Sequence, residues 1–348
     1  MIDRRALLLV PMALIAGCGG SGGDAGGGSA PPPGSADAPG GPAGATPAAS
    51  DFKVGLLTPG SLSDSGWNSL AGAGLKQIET ELKAQTSHQS ATESEAEEAL
   101  RGFARDKVKL IFAHGAEYGE AAKRVAEEFP DTIILVSSGE VEGKNLGSLR
   151  FDLGEAAYLA GILAGALSKS GKGGQIGGMS FAPVKQAFEL FEKGAQTVNP
   201  KFSAPITYLG SWSDANAGKE KALAMIRGGA DILFQNADAA GEGVFQAVEE
   251  NKAKGVLAVG SNANQNELKP ELIACSAVLD VAKTFLTVAR EVQAGTFKGG
   301  IFLEDLKSGN VYLAINPTFE ARIPAEIKAK IKSAEEDIKS GKLKLIAK

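Results

Sequence analysis

From residue 52 onward, short apolar runs alternate with longer stretches whose apolar positions recur every three or four residues. The short runs predict strands over 53–57, 108–113, 132–136, 174–178, 206–209, 231–235 and 256–259. The longer stretches predict helices over 66–83, 117–129, 155–168, 183–198, 214–227 and 242–254, with Pro130 ending the second. Strands separated by helices argue for parallel sheets covered on both faces. The units fall into two clusters, about 52–151 and about 154–260, which predicts two similar α/β lobes. The segment 275–306 is too short to be a domain and is expected to thread back between them. In such sheets ligands sit beyond the carboxyl ends of the strands, so the post-strand loops and the cleft between lobes form the candidate site.

The chain before residue 52 has a different pattern. Arg4 and Arg5 precede an apolar run over 6–16, short of the roughly 20 residues a spanning helix needs. The run matches the apolar region of a secretory signal and ends in Ile15-Ala16-Gly17-Cys18. That tetrapeptide looks like a bacterial lipobox, in which the Cys18 thiol takes the lipid; the other reading is a cleaved signal with an incidental cysteine. Residues 19–50 hold 11 Gly and 6 Pro with no aromatic, Lys or Arg, and are expected to be a disordered tether spanning roughly 30 Å.

Composition narrows the chemistry. The length of 348 residues fits about two domains. With 41 acidic and 36 basic residues the net charge is −5, so no global basic field favours nucleic acid. Two cysteines and two histidines build neither a disulfide framework nor a Cys/His zinc cluster. A metal held by carboxylates lacks any spacing motif, and neither a metal nor a cofactor is expected. Catalytic motifs are also missing. Gly171-Lys172-Gly173 lacks the hydroxyl residue of a phosphate loop, and Gly72 and Gly74 lack the third glycine of a dinucleotide fingerprint. Gly177-Gly178-Met179-Ser180 falls short of a nucleophile elbow. His114 follows a strand, with no evident nucleophile beside it, and reads as a polar cleft residue; His88 reads equally as a loop or a site residue. The expectation is a binding protein rather than an enzyme.

The post-strand loops carry aromatic rings beside amides and carboxylates. Asp64 and Ser65 are placed to cap the helix that begins near Trp67 and Asn68. Trp212 occupies the equivalent place in the second lobe, after one strand and before the next helix. These are the only two tryptophans. Either they face each other and sandwich a planar ring, at roughly 1–3 kcal/mol per stacked base, or each is partly buried packing. Asn236, Asp238, Asn262 and Asn264 follow later strands and suit a polyhydroxyl or heterocyclic ligand, with solvated loop polarity as the other reading.

Several motifs taken together resemble the basic membrane protein family of bacterial substrate-binding lipoproteins, from about residue 53 to the C-terminus. They are Asp64-x-x-Trp67-Asn68-x-x-Ala71-x-x-Gly74, Glu155-Ala-Ala-Tyr-Leu-Ala-Gly161, Gly177-Gly-Met-x-x-x-Pro183, Phe191-x-x-Gly194-x-x-x-x-Asn199-Pro, Gly210-Ser-Trp-x-Asp214 and Gly228-Gly-Ala-Asp-Ile-Leu-Phe-Gln235. The segment from Ile323-Pro324 to Lys342 looks like that family's closing helix. The resemblance implies a type I periplasmic-binding fold, two parallel-sheet lobes joined by a hinge with three crossovers, and an ABC permease as partner. On that plan lobe 1 takes residues 51–153 plus about 264–295, lobe 2 takes 154–263 plus about 296–320, and 321–348 form a closing helix and tail. Trp67 and Trp212 stand where the family's base-sandwiching aromatics lie, and Asp64 and Asn68 where base contacts are expected. Two departures concern positions associated with ribose hydroxyls. Ser261-Asn262-Ala263-Asn264-Gln265 replaces a frequent Val-Asp-Ser-Asp-Gln, and Ala277-Val278-Leu279 offers no lysine. The expected protein is a lipid-anchored, extracytoplasmic receptor of an ABC importer, closing on a nucleoside-like small molecule. Its rivals are a two-lobed enzyme, needing an acid–base pair such as His114 with Asp64 or Asp238, and a sensor that signals to a membrane kinase.

Overall fold

The computed structural model describes residues 51–64 and 66–345; the expected signal segment, Cys18 and the whole tether over 19–50 lie outside the described residues. No helix among the described residues is long and apolar enough to cross a membrane. The chain first builds β1 (Lys53–Thr58), α1 (Trp67–Leu82), β2 (Gln85–Ser90), α2 (Ala96–Arg105), β3 (Leu110–Ala113), α3 (Gly119–Glu128), β4 (Ile133–Ser137) and β5 (Leu146–Phe151). It continues through α4 (Leu153–Leu167), β6 (Gly173–Gly177), α5 (Ala182–Gln196), β7 (Ile206–Tyr208), α6 (Ala215–Arg227), β8 (Ile232–Asn236), α7 (Gly241–Glu250) and β9 (Leu257–Asn262). Last come β10 (Ile273–Leu279), α8 (Val281–Gln293), β11 (Gly300–Glu304), β12 (Val311–Ile315) and α9 (Ala325–Lys339).

Two six-stranded sheets result, with orders β11-β5-β4-β3-β1-β2 and β12-β10-β9-β8-β6-β7. The first sheet is parallel throughout, and in the second only β12 runs antiparallel, to β10. Parallel central strands must be covered on both faces, which is why β3 reads Leu-Ile-Phe-Ala with every residue buried. Leu100, Phe103 and Val125 of α2 and α3 close one face of the first sheet, while Leu75 and Phe285 of α1 and α8 belong to the core on the other. The second sheet repeats the plan with α4 and α5 on one side and α6 and α7 on the other.

The expected two-lobed α/β fold is present, but the returning segments are shared out differently. β10, an apolar run buried along its whole length, stays in the second lobe between β9 and β12. β11 belongs to the first, beside β5. The chain therefore crosses after β5, after β10 and after β11, which corrects the boundaries at 264–295 and 296–320. The crossing segments are tied together. The Asp152 N–H donates to the Glu304 carbonyl at 2.8 Å, the Asp280 N–H to the Asn310 carbonyl at 2.7 Å, and the Leu306 N–H to the Glu155 carboxylate at 2.9 Å.

β2 was not legible in the sequence. It forms from Gln-Thr-Ser-His-Gln-Ser, without one apolar residue, and is held at the sheet edge by its backbone ladder to β1. Two of the motif glycines have a packing reason. A Cβ on Gly161 would lie 2.0 Å from the Phe191 carbonyl oxygen, and one on Gly194 would lie 2.0 Å from that of Tyr158. Helices α4 and α5 thus cross backbone to backbone, at a separation only glycine permits.

Candidate functional site

At the N-terminus of α1 a side chain of the second lobe reaches the first. Asp64 accepts hydrogen bonds from the backbone N–H groups of Gly66 (3.0 Å), Asn68 (2.7 Å) and Ser69 (2.8 Å). Asp238, from the second lobe, accepts the Trp67 N–H at 3.1 Å through Oδ1. Two carboxylates thus take the donors that a helix start leaves open, where the helix dipole also favours negative charge. Gly66 allows the approach, since a Cβ there would stand 2.5 Å from the Asp238 oxygen. Asp64, expected at the ligand, has both carboxylate oxygens engaged with the backbone of its own helix, in the capping role that its position also suggested.

The Trp67 indole, half-buried, stacks on the His114 imidazole at 3.9 Å and 20°, with the Phe151 ring edge-on at 6.2 Å. His114 is fully buried. A carbonyl only accepts, so Nε2–H donates to the Trp67 carbonyl (3.0 Å) and Nδ1 accepts from the Ser137 hydroxyl (2.8 Å). Burial pushes its pKa down to about 3, so the ring is neutral. His114, expected at the ligand, has both nitrogens engaged within the protein and its ring stacked on the indole. Behind it Phe285 stands edge-on at 5.7 Å and stacks on Phe112 at 3.8 Å. One face of Trp67 is backed by this stack of rings. Only the opposite face is left for another flat group.

In the second lobe β6, β7, β8 and β9 run parallel, so the loops that follow them share one edge. Trp212 leans on the Gly178 backbone, where a Cβ would come within 2.1 Å of the indole. The Phe181 ring stands 6.0 Å from that of Trp212 at 47°. Asn236 and Asn262 end β8 and β9 and are both buried. The Asn262 amide donates to Asn236 Oδ1 and to Asp238 Oδ1, each at 3.3 Å. Asn262 and Asp238 both adopt left-handed backbone (φ +63° and +48°), a strained arrangement for residues with a Cβ. Asn264 does not join them. It is exposed, and its side chain accepts the Asn266 N–H at 3.2 Å in a local turn.

A buried network that sequence reasoning missed supports this edge. Gln235 donates to Gln265 Oε1 (2.6 Å), which also accepts the Ser261 N–H (3.0 Å). The Gln265 N–H donates to the Ser276 hydroxyl (3.1 Å), and that hydroxyl donates to Asn266 Oδ1 (2.9 Å). The other missed residue is Phe181. Like Trp212 it lies between a strand and the next helix, and Trp67 opens the helix that follows its own strand; that post-strand placement was the available signal. His88 joins neither cluster; on β2 its Nε2 lies 2.8 Å from the Thr58 hydroxyl.

Asn68 adds an unusual feature. Its side-chain oxygen is buried without a hydrogen-bond partner, in the same turn as Trp67. Such an acceptor is unfavourable unless a donor arrives. Asp238 is the perturbed acid of the site, pushed up to about 6 by burial first and by the Asp64 charge second. A raised pKa means that Asp238 supports the fold fully only below the ordinary carboxylate range and that this contribution is lost as pH rises through about 6, while the Trp67 N–H itself favours the ionised form. Asp238→Asn mimics the protonated form. It is expected to melt higher than wild type at pH 7.5, with the advantage narrowing as pH falls through about 6 and gone only near the free carboxyl value of about 4, as read by thermal melts from neutral to acid pH.

Comparison with known proteins adds a family. A family model described as ABC transporter substrate-binding protein, PnrA-like, matches residues 52–344. The transcriptional activator protein Med of Bacillus subtilis is 26% identical over 81% of this chain and 90% of its own length. The ABC transporter nucleoside-binding protein BmpA of Lactococcus lactis is 29% identical over 86% of this chain and 90% of its own. Among solved structures, an ABC transporter solute-binding protein of Aeropyrum pernix superposes with a TM-score of 0.78 at 23% identity, covering 84% of this chain and 92% of that one.

Proposed function

The chain belongs to this family of ABC-transporter substrate-binding proteins, and from that premise we propose that it is the lipid-anchored, extracytoplasmic receptor of an importer, holding a nucleoside or related planar heterocycle between its lobes. Trp67 and Trp212 supply the flat faces, one from each lobe. Asn68, Asn236, Asp238 and Asn262 supply polar partners for the edge of the ring. The carrying observation is the Trp67–Asp238 contact at 3.1 Å. It brings the carboxylate of one lobe to the helix turn of the other that bears the stacking indole. Ligand favours the closed arrangement because both lobes contribute to one site, and the closed form is what a permease would engage. The name of the Lactococcus lactis relative supports a nucleoside as the solute.

A catalytic reading has less support. The pairing of His114 with Asp64 or Asp238 lacks a free imidazole nitrogen, and the ring is neutral and fully buried. The test is calorimetric titration of the full chain, in detergent, with adenosine, guanosine, inosine and their free bases. Saturable binding without turnover supports the receptor; release of base from nucleoside, seen by chromatography, contradicts it. For the anchor, Cys18→Ala is expected to move the protein from the membrane fraction to the aqueous one. An unchanged distribution would show that Cys18 is not the lipid acceptor.

A further inference from the structure

Among the described residues Phe181 leaves 52% of its surface in water, more than any other large apolar side chain. Its place is nevertheless fixed. Its carbonyl accepts the Lys185 N–H at 3.0 Å in the first turn of α5. The segment leading to it is held on both sides: the Gly178 N–H donates to the Asn236 carbonyl at 2.9 Å, and the Gly178 carbonyl accepts the Gly210 N–H at 2.9 Å. The loops after β6, β7 and β8 are thereby bound into one rim. From that rim Asp238 reaches Trp67 of the other lobe, so the rim borders the inter-lobe site. A phenyl ring left in water at such a rim has apolar surface available to a solute.

We propose that Phe181 is a ligand-contacting residue that forms a corner with Trp212. The ring of the solute stacks on the indole, and the phenyl, tilted at 47° to it, meets the solute at its edge. Aromatic rings prefer such offset or edge-on contacts. The corner limits how far a flat solute extends past the indole, so Phe181 sets ligand size as well as affinity. This inference rests on the receptor reading.

The experiment is calorimetry on the full chain with adenosine, guanosine, inosine and their free bases. Phe181→Ala is expected to lower affinity for the best-bound of these by about three- to tenfold, the range an aromatic pair supplies. It should also alter the ratio of nucleoside to base affinity, while the melting temperature stays within about 2 °C because the side chain is exposed. Phe181→Tyr should restore both affinity and ratio. A purely structural Phe181 would move the melting temperature and leave the ratio alone. If wild type binds and Phe181→Ala binds every compound within twofold of it, the corner is wrong and the receptor reading stands. If wild type binds none of them, both fall.

Discussion

Replacing Trp67 with Ala is expected to weaken binding of the natural solute by about 5- to 150-fold. That range follows from roughly 1–3 kcal/mol per ring stacked on an aromatic side chain, at 1.4 kcal/mol per tenfold. The loss has two sources. The variant removes the flat face, and it uncovers His114, whose neutral state depends on burial. Trp67→Phe keeps a ring over the imidazole and should recover most of the affinity. Trp212→Ala should cause a comparable loss without touching the first lobe. Titration calorimetry on the three variants checks this. Wild-type affinity in both alanine variants would leave the sandwich without support.

Gly161→Val is expected to lower stability by about 3 kcal/mol or more, toward the large end of overpacking effects. A side chain cannot be placed at this position without movement, because the nearest atom is a backbone carbonyl of the facing helix, 2.0 Å away. The reciprocal contact of Gly194 on the Tyr158 carbonyl means that α4 and α5 must separate along their shared length. Most of α4 is buried, so the displacement reaches the core of the second lobe. The melting temperature should drop by on the order of 10 °C, whereas Gly102→Ala, on α2 with nothing within 4 Å of the added carbon, should leave it nearly unchanged.

The sequence made the alternating architecture legible because central parallel strands carry unbroken apolar runs, the whole of β3 and the first three residues of β8, and their helices repeat with a 3.6-residue period. It hid the edges. β2 has no apolar residue to reveal it, and β10 and β11 were assigned to the wrong lobes because strand pairing, not local pattern, decides membership. The site shows the same division. Residue type and post-strand position brought Trp67, Asn68, Trp212, Asn236, Asp238 and Asn262 to notice, and the structure places all six at the α1 N-terminus or at the rim of the second sheet. The same criteria also picked Asp64, His114 and Asn264, whose polar atoms the structure engages within the protein. A capping carboxylate, a buried imidazole and a turn amide look alike along the chain, and differ only in which partners hold their polar atoms. Phe181 escaped for the opposite reason: an isolated phenylalanine in a loop carries no polar group to draw attention.

The most direct test of the receptor account is a crystal structure grown with adenosine. The account predicts planar density against the face of Trp67 opposite His114, in contact with Trp212, with Asn68 Oδ1 accepting a hydrogen bond from the solute. A solute bound elsewhere, with both indoles packed only against protein, would contradict it.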